Sequence, residues 1–202
     1  EEYNIENPKT LQTIHKSYID AGSDIILTNT FGANRLKMKK SKYPLSMLIK
    51  HAVLNAKKAA ENTRTKIALD IGPIGELLEP MGKITFEEAV EIFKEIISEG
   101  VKNGVDIIYF ETMSDLYELK AGIIEAKECC DKPIFCTMTF EENMRTFTGC
   151  DISSMAVFLE NIGVCAIGIN CSLGPSEMLP IAKKLTEYTN LPLIIKPNAG
   201  LP

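Results

Sequence analysis

Cys171 stands in the stretch GINCSLGP (168–175), where the apolar run VCAIGIN gives way to a glycine-containing loop. A thiolate at the carboxyl end of a strand can serve as a nucleophile or as a metal ligand. A small, half-buried apolar residue is the plain alternative for a lone cysteine. A nucleophile needs a base beside it, and both histidines, His15 and His51, fall in helical patterns away from the strand ends. The metal role is therefore the better functional reading, although one cysteine does not make a zinc site. Glu111, in YFET, is the second candidate, because a carboxylate ending an apolar strand is costly to desolvate unless it meets a cation or donors. A ligand ammonium and a structural Lys or Arg meet that need equally well. Asp70 in LDIGPIGE and Asn29 in LTNTFGAN pose the same choice, and Asn29 can also bond the turn that follows it.

The other cysteines read as structural. Cys129 and Cys130 are adjacent at a helix end, where neither a shared metal nor a relaxed disulfide fits. Cys136 and Cys165 fall inside strand patterns as core residues, and Cys150, in FTGCD, lies in a loop near the carboxyl side of a strand.

The elements that must position these side chains alternate. Six short apolar or β-branched runs occupy residues 24–30, 66–72, 105–112, 133–140, 164–170 and 191–197. Each is too short for a helix and apolar on both faces, as a strand covered on both sides must be. Helical patterns cover 8–21, 46–62, 85–103, 114–129, 152–162 and 175–189. Thr85 with Glu88 forms a capping-box pattern, Pro8 and Pro175 suit first helical turns, and Gly22, Gly104 and Gly163 suit left-handed helix ends.

Such alternation demands parallel strands, in an open doubly wound sheet or in a (β/α)8 barrel. The first strand-to-helix turn, NTFGANR, lacks a glycine-rich phosphate fingerprint. Nearly every strand ends in a polar residue: Asn29, Asp70, Glu111, Thr139, Asn170, and Lys196 with Asn198. A ring of polar groups at the carboxyl ends of all strands is the active face of a barrel, whereas an open sheet gathers them at one switch point. The expected fold is an α/β (TIM) barrel, here incomplete: six βα units where a closed barrel has eight.

At 202 residues, with 45% apolar and 24% charged residues, the chain has the composition of one globular domain spanning 1–202. Its net charge of −5, with lysines interleaved among acids, excludes a phosphate-backbone partner such as a nucleic acid. No run is long enough for a helical membrane span. The six cysteines lie in helix and strand patterns, not in the frame of a small disulfide-rich domain, which predicts reduced thiols and a cytoplasmic location.

Six motifs taken in order carry a resemblance: AGSDIILTNTFGANR, LDIGPIGELLEPMG, DIIYFETMSDLYELKA, MTFEENMRTFTGCD, GINCSLGPSEMLP and PNAGLP. Together they resemble the homocysteine S-methyltransferase family over essentially the whole chain. They are most similar to its cobalamin-dependent branch, where the barrel is the amino-terminal module of a methionine synthase. The resemblance implies a (β/α)8 barrel that holds zinc through three cysteine thiolates. One is Cys171; the other two belong to a GGCCG motif after the eighth strand, which this sequence does not contain. The family's first strand, with an aspartate-glycine motif, is also absent, so the missing strands are expected to be the first and the eighth. Glu111 matches the glutamate that faces the amino group of homocysteine, and Asn29, Asp70 and Asn170 match pocket-lining positions. The implied reaction transfers a methyl group to a zinc-activated homocysteine thiolate, from methylcobalamin carried on another module and ultimately from methyltetrahydrofolate. Cobalamin-binding and folate-binding modules are the implied partners. Two alternatives stand beside it: a cobalamin-independent methyltransferase using S-methylmethionine or betaine, and a non-catalytic remnant without the cysteine pair.

Overall fold

A computed structural model describes residues 1–200. Two helices, α1 (Tyr3–Glu6) and α2 (Pro8–Asp20), lead into β1 (Ile25–Leu27). Strand and helix then alternate through α3 (Leu45–Ala59), β2 (Lys66–Ile71), α4 (Phe86–Asn103), β3 (Ile107–Met113), α5 (Leu116–Cys129), β4 (Ile134–Met138), α6 (Ile152–Ile162), β5 (Ala166–Asn170), α7 (Pro175–Leu185) and β6 (Leu193–Lys196). The sheet order is β1-β2-β3-β4-β5-β6, and every neighbouring pair is parallel. Spatial order equal to sequence order rules out a doubly wound sheet, whose order reverses at a switch point. The architecture is a six-stranded half-barrel, and among the described residues β1 and β6 each have one partner strand.

Local chemistry sets the element ends. Thr85 Oγ1 accepts from the Glu88 N–H at 3.1 Å while the Glu88 carboxylate accepts from the Thr85 N–H at 3.0 Å, a complete capping box for α4. That helix ends at Gly104, whose φ of 88° is the left-handed conformation only glycine adopts cheaply. Asp151 caps α6 by accepting from the Ser154 N–H at 2.8 Å. Several expectations differ from the structure, among them these three. Strand β1 is shorter than 24–30, because the Thr30 N–H turns back to the Thr28 carbonyl at 2.9 Å and the two threonine hydroxyls bond each other at 2.7 Å. Helix α7 stops at Leu185 instead of 189, with Thr186 capping it. Cys165 is exposed just before β5 instead of lying in the core, whereas Cys136 is buried as expected.

The two faces of the sheet differ in how they are covered. Alternate residues Ile67, Leu69, Ile71, Ile108, Phe110, Cys136, Met138, Ile167 and Ile169 point outward into one continuous core beneath the helices. Close approach is built in: a Cβ added to Gly122 of α5 would lie 2.5 Å from the Phe110 ring. The other alternate set, Ala68, Ile107 and Tyr109 with Leu27, Phe135 and Ile194, makes a small separate cluster on the concave face.

Candidate active site

The register decides which polar side chains meet. Continuing the inward set by one step of two residues along each strand reaches Asp70 on β2, Glu111 on β3, Thr137 on β4, Asn170 on β5 and Lys196 on β6. Asn170 and Lys196 are direct partners across β5 and β6. The concave face therefore ends in a polar rim at the strands' carboxyl ends.

Glu111 accepts a short hydrogen bond from the Lys196 ammonium, which also lies 5.3 Å from the centre of the Tyr109 ring. The Tyr109 hydroxyl is bonded to Thr137 Oγ1 at 3.0 Å, and burial pushes its pKa up. The carbonyl of the same Lys196 accepts from the Cys171 N–H at 3.2 Å. One residue thus touches both leading candidates, the carboxylate through its side chain and the thiol-bearing residue through its backbone. The Cys171 side chain is exposed.

The backbone at the rim is unusual. Thr112 (φ 58°), Cys171 (φ 64°) and Ser172 (φ 59°) all adopt the left-handed conformation, which a β-branched residue such as Thr112 rarely does. Asn170 secures Thr112: its Oδ1 accepts from the Thr112 N–H at 3.1 Å and its Nδ2 donates to Thr112 Oγ1 at 2.7 Å. Asn170, expected as a pocket-lining residue, thereby fixes the end of β3 that carries Glu111. Thr139 and Ser172 bond through their hydroxyls at 2.6 Å, tying the β4 and β5 loops together.

Asp70 is 6% exposed, and its main chain is clamped by Thr28 Oγ1, which accepts from its N–H at 3.0 Å, and by Thr30 Oγ1, which donates to its carbonyl at 2.7 Å. Its Oδ1 is buried and has no hydrogen-bond partner among the described residues. Burial raises its pKa well above the usual carboxylate range, the nearby Glu111 charge adds to that, and the Lys196 charge opposes it. Asn29 stands at the edge of the group. Its side chain donates to Asn4 Oδ1 at 3.3 Å and its carbonyl accepts from Asn4 Nδ2 at 2.8 Å. It joins Lys196, Tyr109 and Phe135 in lining a cavity of about 620 Å³ between the concave face and α2. His15 also lines that cavity, and its Nε2 is buried without a partner among the described residues.

No group of three His, Cys, Asp or Glu side chains able to hold a metal exists among the described residues. Cys171 fits a soft, thiolate-preferring metal as one ligand, but these residues alone do not make a metal centre. The residues the sequence reading did not single out are Thr112, the Asn170 partner, and Lys196, which it noted only as a strand-end residue. The signal for Lys196 was its period-two position two residues beyond Ile194, legible only once the inward set is known. Leu201 and Pro202 of the PNAGLP motif lie outside the described residues.

A parallel half-barrel with a charged rim and a thiol at its carboxyl ends belongs to the class of barrel enzymes that work at that face. The sequence matches the family model for homocysteine S-methyltransferase over residues 1–202, and the chain belongs to that family. It is 29% identical to the methionine synthase of Mycobacterium leprae and 30% identical to that of Mycobacterium tuberculosis, each over 213 residues and 98% of the chain. The chain spans only 17% and 18% of those two relatives. In structure it superposes on the Escherichia coli homocysteine methyltransferase MmuM, metallated form, with a TM-score of 0.89 at 20% identity, covering 98% of this chain and 75% of that one. The oxidized form of the same enzyme gives 0.89 at 22% identity, covering 98% and 74%. These likenesses establish the barrel fold.

Proposed function

We propose that residues 1–202 are the homocysteine-binding barrel domain of a cytoplasmic, cobalamin-dependent methionine synthase. One observation carries the reading: Glu111 and Cys171 are both neighbours of Lys196 on the rim, one at its ammonium and one at its carbonyl, so a ligand spanning a lysine's length can meet both. Glu111 offers the anionic partner for the α-ammonium of homocysteine. Asn170 keeps that carboxylate in place by holding Thr112 in its rare conformation. Asn29 and Tyr109, the latter bonded to Thr137, line the cavity beside Lys196, and Asp70 lies within reach of the Glu111 and Lys196 charges.

Cys171 supplies one thiolate to a zinc ion, whose two further thiolates come from outside these residues. A free thiol, with a pKa near about 8.5, is mostly protonated at neutral pH, and zinc supplies the positive charge that keeps the substrate sulfur deprotonated. The left-handed Cys171 and Ser172 hold the thiol on the exposed side of the rim, where an incoming methyl carrier has access. The methylcobalamin donor, with its cobalamin-binding and folate-binding modules, is supported by the methionine synthase relatives, which are far longer than this chain. The family match accommodates a second reading, with S-methylmethionine or betaine as donor.

The test uses the full-length protein. Cys171→Ala is expected to lose zinc and methyl transfer together, measured by metal analysis and by methionine formation from L-homocysteine. Stoichiometric zinc in that variant would overturn the assignment. Turnover with methylcobalamin but not with S-methylmethionine or betaine separates the two donor readings.

A further inference from the structure

The rim holds two carboxylates and one ammonium. Lys196 is bonded to Glu111, while Asp70, nine-tenths buried, lies close enough to feel both charges and has an Oδ1 with no partner among the described residues. A buried carboxylate oxygen without a donor is a costly arrangement that a ligand's donor would relieve. The Lys196 side chain is 44% exposed, so it can leave Glu111 toward solvent without breaking the core. Its ammonium lies over the Tyr109 ring, and both residues line the cavity that Asn29 also lines.

We propose that Lys196 is a specificity-determining residue for amino-acid thiols: it occupies the ammonium position of the free site, yields it to the substrate's α-ammonium, and then pairs with the α-carboxylate. This rests on the homocysteine reading above. In the exchange the incoming ammonium lies between Glu111 and the vacant oxygen of Asp70. The displaced lysine finds a carboxylate attached one carbon away from that ammonium. The number of ion pairs rises from one to two, and Asp70 gains the donor it lacks. An amine without the carboxylate would displace Lys196 and leave it unpaired; an acid without the ammonium would leave Glu111 on Lys196 and find no free cation. The site therefore recognises the zwitterion as a unit, with no new charge brought into the rim.

The experiment is calorimetric binding to the full-length zinc-loaded protein of three thiols: L-homocysteine, 3-aminopropane-1-thiol, which lacks the carboxylate, and 4-mercaptobutanoate, which lacks the ammonium. All three carry the same thiol, so its contribution cancels in the ratios. The wild type is expected to prefer homocysteine over the aminothiol by about tenfold or more, the value of one charge-assisted pair. Lys196→Met is expected to bring that ratio close to one, with the aminothiol bound as well as before or better, because its internal competitor is gone. Lys196→Arg is expected to keep the preference. A Lys196→Met protein that retains the wild-type ratio, or that loses affinity for both amines equally, overturns the proposal while leaving the homocysteine reading intact. A wild type that binds none of the three thiols overturns both. Thermal unfolding of each variant, expected unchanged because Lys196 is on the rim, separates a binding effect from a folding one.

Discussion

The convex and concave faces of the sheet are built from the same strands, one residue out of step, and they are chemically opposed. The convex face is a single large core under the helices; Phe110 there is fully buried, edge-on to Phe93 at 5.7 Å with the rings at 86°. The concave face has a small apolar cluster and ends in Asp70, Glu111, Asn170 and Lys196. Each face also shows how a buried carboxylate is treated. Glu118, at the start of α5 and 3% exposed, accepts the Ile74 N–H at 2.5 Å. That bond joins a clamp on the β2 loop in which Asn34 donates to the Ile74 carbonyl at 3.2 Å and Lys37 to the Pro73 carbonyl at 2.6 Å. Asp70, equally buried, has an oxygen with no partner among the described residues. The satisfied carboxylate shapes a loop, and the unsatisfied one is left open at the polar rim. The pleat thus puts the apolar core on one face and the candidate site on the other.

That division can be broken from either side. The largest effect is expected from the convex face: Phe110→Ala leaves a cavity in the continuous core and should cost about 3–5 kcal/mol in chemical denaturation. A loss under about 1 kcal/mol would mean that the convex core does not carry the fold.

The second effect concerns Glu118. Burial pushes its pKa up to about 7, with the neighbouring Asp115 adding to the rise, and the Ile74 N–H and Lys37 opposing it. The folded state therefore holds a proton that the unfolded chain, with a carboxyl near about 4.3, releases earlier. Between those values the folded state binds more protons, so stability is expected to fall as pH rises from about 4.5 to 7. Glu118→Gln keeps an acceptor for the Ile74 N–H and removes the charge. It should flatten that decline and, on the order of 2 kcal/mol, stabilise the protein at pH 8 relative to the wild type. Parallel pH–stability curves for the two proteins would refute it.

Asp70→Asn sharpens the contrast, because stability and function should move in opposite directions. Replacing this buried carboxyl, whose Oδ1 has no donor among the described residues, by an amide is expected to stabilise the fold by about 1 kcal/mol at pH 8, while homocysteine affinity falls by about tenfold. Denaturation and calorimetry on the same preparation check both halves. The smallest change in stability is expected for Cys171→Ala compared with wild type, both zinc-free, within about 0.5 kcal/mol, because the exposed thiol is no part of the core. A large loss of stability there would move Cys171 from the rim to the scaffold.

Much of this was legible along the chain. Helix α6 occupies the expected residues 152–162, the capping box at Thr85 and Glu88 forms as its spacing predicts, and Gly104 and Gly163 end their helices in the left-handed conformation. These features depend on residues three or four apart, so a local pattern suffices. The partner of Glu111 was not legible. Its surroundings permitted a ligand ammonium or a structural cation equally, and the cation proved to be Lys196, 85 residues away. The hold of Asn170 on Thr112 spans 58 residues and crosses from β5 to β3, past the strand between them. Nor did the apolar pattern mark the end of β1, which the Thr28 and Thr30 hydroxyls set through bonds to each other and to Asp70.

The sequence by itself determined six parallel strands in order, the helices between them, and the residue types at the strand ends, because periodicity, caps and glycine conformations are local properties. Only the tertiary structure decided which of those strand ends face one another. Register and strand order bring Lys196 into contact with both Glu111 and Cys171 and leave Asp70 Oδ1 without a donor among the described residues. A shift of one residue in any strand would turn its polar end into the convex core, so the site exists through the summed pairing of all the strands, which no single stretch of sequence encodes.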